Sequence, residues 1–74
     1  MNAKKERANV FIEWRGNKLL LAEGIDCLLL YGENEIRLSA GEQVISVCGE
    51  TLEMKYLTNE RIAIEGIIKA VSYV

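Results

Sequence analysis

The side chains of this chain that could do chemistry are few and scattered. Histidine is absent, which excludes histidine-based triads, imidazole acid–base catalysis and zinc sites of the Cys/His kind. Cys27 and Cys48 belong to no CxxC pair. Cys27 falls among apolar residues, which suits a buried, inert thiol better than a nucleophile, and free thiols in a reducing compartment are the default. Glu33 and Glu35 flank Asn34 in Gly32-Glu33-Asn34-Glu35. That resembles part of a calcium loop, but the spacing and ligand number fall short, and a solvated turn is the simpler account. Glu50 and Glu53 read as ordinary solubilising charge. No GxGxxG or GxxxxGK[ST] pattern is present to cradle a phosphate. Trp14, Phe11 and three tyrosines could form a stacking platform for bases or sugars, yet Trp14 shares an alternation with Ile12 and Leu19, which favours core packing. No catalytic, cofactor-binding or metal-binding residue is assigned, and the expectation is a protein that is not an enzyme and carries no cofactor.

The elements holding these residues are strands. Glycines fall at 16, 24, 32, 41, 49 and 66, and the polar trio Thr58, Asn59 and Glu60 fills the one gap. Turn signals at this spacing, between leucine-rich and β-branched runs, predict many short strands. Register follows from the turns. If Gly16-Asn17 is a two-residue hairpin loop, opposing residues sum to 33. Trp14 then faces Leu19 and Ile12 faces Leu21, while Phe11, Leu20 and Ala22 share the other side with Glu13, Arg15 and Lys18. Two-residue turns at Gly41-Glu42 and Gly49-Glu50 give sums of 83 and 99. One face then collects Ile36, Leu38, Ile45, Val47, Leu52 and Met54, and the other collects Arg37, Ser39, Ser46, Glu53 and Lys55. The run Ile25 to Tyr31 is apolar at both parities, so it should be covered on both faces, by a folded-over sheet or by another subunit. Gly66 inside the last strand marks a bulge or bend. The predicted fold is all-β, a small antiparallel meander of about 6–8 short strands folded into a compact sandwich or partly open barrel. A short β-solenoid-like stack is the alternative, weakened because solenoid repeats commonly run to roughly 20 residues or more.

Composition bounds the rest. The 74 residues make one domain, expected over residues 9–74, after a flexible basic tail over residues 1–8 that carries Lys4, Lys5 and Arg7. A chain this short buries little more than half of its unfolded surface, so a homo-oligomer is expected. The net charge of −2 and the pI near 5.1 give no basic footprint for nucleic acid. Three basic residues in the tail are fewer than the clusters of about 4–8 that bind anionic membranes. The longest apolar run, Cys27 to Tyr31, is five residues, far short of a membrane span. The charged N-terminus has no apolar stretch or small-residue cleavage site of a signal peptide.

The ordered motifs themselves suggest a family. Ile36-Arg37-Leu38-Ser39-Ala40-Gly41, Gly49 with Leu52 before Tyr56-Leu57-Thr58, Ile62-Ala63-Ile64-Glu65-Gly66 and the closing Val71-Ser72-Tyr73 resemble the YabP/YqfC family of small sporulation proteins, more closely its YqfC branch. Ile12 through Gly16-Asn17-Lys18 and Leu21 to Gly24 leading into Leu30-Tyr31 are similar to the family's opening segments. The segment Ala22-Glu23-Gly24-Ile25-Asp26 departs from the polar, often histidine-containing spot associated with that part of the family, so no role is carried onto it. The resemblance implies a non-enzymatic protein of endospore formation, cytoplasmic on the mother-cell side and peripheral to the forespore membrane. It also implies an integral membrane sporulation partner (YqfD-like). It supplies no catalytic residues.

Two functions of different kinds follow as expectations. The first is a structural or assembly factor acting through protein–protein contacts, with Leu28, Leu30, Phe11 and Leu20 as the candidate interaction face. The alternative is a small β-barrel module holding an apolar or cell-wall-derived ligand beside Trp14 and the tyrosines.

Overall fold

A computed structural model of the chain describes residues 10–74, and the basic tail expected over residues 1–8 lies outside them. Six strands follow in order: β1 (Phe11–Arg15), β2 (Leu19–Glu23), β3 (Cys27–Tyr31), β4 (Glu35–Ala40), β5 (Gln43–Thr58) and β6 (Arg61–Tyr73). They form one antiparallel sheet in the order β1-β2-β6-β5-β4-β3. The all-β class is as expected and the solenoid-like stack is not the architecture. Four strands are short, but β5 and β6 run to 16 and 13 residues.

The long β5–β6 hairpin is the frame. Its turn is Asn59-Glu60, both residues at positive φ (51° and 65°), where the polar trio placed it. β2 pairs with the first part of β6, from Arg61 to Glu65, and β4 pairs with the first part of β5, from Gln43 to Cys48. The hairpin therefore has a tip half carrying β2 and β1, and a base half carrying β4 and β3. Between the halves the pairing shifts at Cys48/Gly49 and at Glu50/Glu53. Extra residues of this kind bend a ribbon and sharpen its twist.

Glycine is required there by contact. A Cβ on Gly49 would lie 1.9 Å from the Ile67 carbonyl oxygen, and one on Gly66 (φ 140°) would lie 2.7 Å from that of Thr51. Gly66 marks the bend, as expected. Gly49 does not make a turn: β5 continues through it, which corrects the predicted Gly49-Glu50 loop. A strand glycine can signal a close backbone approach as well as a turn. The apolar face predicted from that loop survives nevertheless. Thr51 (φ 49°) adds one residue to β5, which switches parity and returns Leu52 and Met54 to the side of Ile45 and Val47.

Both halves turn their apolar sides to one core. Leu20, Ala22, Ile62 and Ile64 come from the tip half; Ile36, Leu38, Ala40, Ile45 and Val47 come from the base half, with Leu52 and Ile68 near the bend. The sheet is thus folded over its own core without closing into a barrel.

The first hairpin corrects the register. Its loop has three residues, Gly16-Asn17-Lys18, and opposing residues sum to 34, as in Trp14 with Leu20 and Ile12 with Ala22. The wider loop lets the Asn17 carbonyl accept from Ile68 N–H (2.7 Å) and the Lys18 carbonyl from Gly66 N–H (3.1 Å), so it extends β2's hold on β6. A shift of one residue exchanges the two faces of a strand. Leu20 and Ala22 are core, and Leu19 and Leu21 are not. The Gly41-Glu42 hairpin, in contrast, has the predicted sum of 83 throughout.

Candidate interaction surface

The first and last strands in the sheet order, β1 and β3, each pair on one side only. β3 has the sequence CLLLY and bears no charge. A bulge between Leu28 and Leu30 breaks its alternation: Leu28 pairs with Leu38 and Tyr31 with Ile36 on the core side, and Leu30 pairs with Arg37 on the outer side. Leu28 is half-buried against the core, whereas Leu29, Leu30 and Tyr31 are 52%, 44% and 51% exposed. Neither the sheet nor another described segment covers this strand on both faces, which was one of the two coverings expected. Cys27 is exposed, with its Sγ 3.0 Å from Ser39 Oγ. Cys48 is half-buried. Edge position thus overrides the apolar neighbourhood that suggested a buried Cys27.

β1 has the sequence FIEWR. Phe11 and Trp14 are exposed, and Arg15 Nε donates to Glu13 Oε2 at 3.1 Å. Trp14 shares a face with Leu20 but stands at the margin, 46% exposed, so its expected core role is corrected. On the outer side of the tip half, Phe11, Leu21 and Tyr56 line a shallow cleft of about 190 Å³, bordered by Glu13, Glu23 and Arg61. Arg61 Nε is 3.6 Å from Glu23 Oε2 across it.

The outer side of the base half is polar. Glu35 Oε2 accepts from Arg37 Nε (2.6 Å) and from Ser46 Oγ (2.7 Å). These bonds, that from Arg37 foremost, hold the Glu35 carboxyl below its ordinary pKa. Ser46 is the buried polar residue of the sheet and is satisfied by this carboxylate. Lys69 Nζ likewise donates to Glu50 Oε2 at 2.7 Å and lowers its pKa.

At the bend, Tyr31, Gly32, Glu33, Thr51, Leu52 and Glu53 line an open cleft of about 480 Å³. The Tyr31 hydroxyl accepts from Met54 N–H at 3.2 Å, and the carbonyls of Glu33 and Asn34 accept from Leu52 and Gly49 N–H. These bonds tie the β3–β4 loop to the bend and fix the orientation of β3. Among the described residues no group of three or more Cys, Asp and Glu is arranged to hold a metal ion.

The predicted interaction face is therefore divided. Leu30 is exposed on β3, Leu28 lies mostly inward beside it, and Phe11 stands at the opposite edge of the sheet. Leu20, 1% exposed, is core and belongs to no face. Leu29, Tyr31 and Tyr56 are exposed and Leu21 lines the outer cleft, and none of the four was among the residues of the predicted face. Leu29 and Tyr31 could have been found by treating an uncharged apolar strand as an edge; Leu21 depended on the loop length at Gly16.

Comparison with known proteins adds one finding. The family model described as the YabP family matches residues 4–74, nearly the whole chain. No curated protein matches the chain.

Proposed function

The chain belongs to the YabP family, and from that premise we propose that it is a non-enzymatic assembly factor of endospore formation, acting through protein–protein contacts. Membership of the family is consistent with a sporulation-related role. The family match over residues 4–74 is the observation that carries the reading. Two surfaces support it: the apolar edge of β3 at Leu29, Leu30 and Tyr31, and the outer patch of Phe11, Leu21 and Tyr56. Open strand edges and exposed apolar clusters are what protein partners bind.

A partner among the integral membrane proteins of sporulation (YqfD-like), a nearer kinship to the YqfC branch, and a place on the mother-cell side of the forespore membrane belong to the same reading. No helix among the described residues is long and apolar enough to cross a membrane. The test is complementation. In a spore former lacking the gene, the unaltered chain restores heat-resistant spores, and Leu29→Lys/Leu30→Lys or Phe11→Lys/Tyr56→Lys chains accumulate folded but restore few. Full rescue by both variants would remove the contact reading.

A further inference from the structure

The two edges of the sheet differ in what they can accept. Charges, bulges and short strands ordinarily keep an edge from pairing with another chain. β1 carries Glu13 at its centre and Arg15 at its end. If β1 paired with itself about its middle, Glu13 would face Glu13, and like charges directly opposite are destabilising. β3 carries no charge and exposes three large side chains along one short strand.

We propose that the free edge of β3 is the seat of a second copy of this chain, added antiparallel about a two-fold axis. The residues argue for that occupant over a charged or basic segment. With the axis between Leu29 and Leu30, Leu29 of each copy meets Leu30 of the other, and Leu28 meets Tyr31. The bulge makes this register the matching one, because Leu28 and Tyr31 are on the core side and Leu30 is on the outer side. Every pair is apolar on apolar. A two-fold contact uses the same patch on both copies and closes on itself, and the charged β1 edge does not propagate the sheet further.

Three side chains on a five-residue strand bury well short of the roughly 800 Å² per partner of a standard interface, so the dimer dissociates on dilution. The Phe11–Leu21–Tyr56 patch lies on β1, β2 and the tip half of β5, away from the base half that carries β3, and stays open in both copies. The proposal deepens the assembly reading by naming the occupant of one of its surfaces. It can fail alone, because spore counts and solution mass are separate readouts.

The experiment is light scattering coupled to size exclusion on the full chain across a dilution series, with circular dichroism to confirm folding. The unaltered chain should pass from dimer to monomer on dilution. Leu29→Lys and Leu29→Glu should each be folded monomers where the unaltered chain is dimeric, a weakening of roughly tenfold or more, about 1.4 kcal/mol. Mixing the two variants should restore dimers, since opposite charges then meet near the axis. Phe11→Lys, on the other edge, should dimerise like the unaltered chain. A monomer at every concentration, an unimpaired Leu29→Lys dimer, no recovery on mixing, or equal loss in Phe11→Lys would overturn the proposal.

Discussion

β1 and β3 are both five-residue strands at the ends of one sheet, and each leaves a row of backbone groups unpaired. Their side chains treat that liability differently. β1 alternates apolar residues with Glu13 and Arg15, which pair at 3.1 Å and keep the edge wet. β3 has neither charge nor proline, and only its bulge interrupts it. The two strands also hang on different halves of the frame: β1 reaches the core through β2 and the tip of the hairpin, and β3 through β4 and its base. Equal length and edge position with unequal charge are informative. The fold leaves both edges open, and the sequence closes one of them electrostatically.

The frame that sets up this comparison can be broken at the bend. Gly49→Ala would push a methyl group into the Ile67 carbonyl, a backbone contact that a rotamer change cannot relieve. A loss of about 3 kcal/mol or more is expected, at or beyond the top of the overpacking range, with both edges lost together. Denaturant unfolding reads it, and a near-neutral result would mean that β5 and β6 do not approach as described. The next effect sharpens the β1 side. Leu20→Ala should cost about 2–5 kcal/mol as a core truncation, and Leu21→Ala under about 1 kcal/mol as a surface one. The reverse order would restore the two-residue loop at Gly16.

Much of this was legible in the residues, and the failures have physical causes. The Gly41-Glu42 hairpin was readable because Glu35–Ala40 alternates cleanly and fixes which parity of the following strand, Ile45 and Val47, faces the core. The first hairpin was not, because Leu19-Leu20-Leu21 is apolar at every parity and cannot report a one-residue change in loop length. Gly49 looked like its neighbours in the glycine rhythm, and only the path of β6 distinguishes a close approach from a turn. Thr51, a β-branched residue at positive φ, carries no local signal of the bulge it makes. Of the interaction surface, the apolar excess at Leu28–Leu30 was visible, but its place at an edge depended on the strand order. That order joins β2 to β6 across the intervening strands, a long-range pairing that local pattern does not encode.

The smallest expected effect concerns the polar outer face behind β3. The lowered pKa of Glu35 means that its bonds to Arg37 and Ser46 stabilise the fold fully above the unfolded-chain value of about 4.3. That share is lost as pH falls through the lower folded value. Glu35→Gln should therefore flatten the acid limb of a stability–pH profile and leave the association of β3 unchanged. An unaltered acid limb would show that the carboxylate contributes nothing to stability.

The central claim, that β3 is an edge with an occupant and β1 is not, is tested most directly by amide hydrogen exchange. Exchange would be followed over residues 27–31 and 11–15 at rising protein concentration. Protection should grow with concentration at the β3 amides not bonded to β4, and stay constant at the β1 amides not bonded to β2. Equal and concentration-independent exchange at both edges would contradict it.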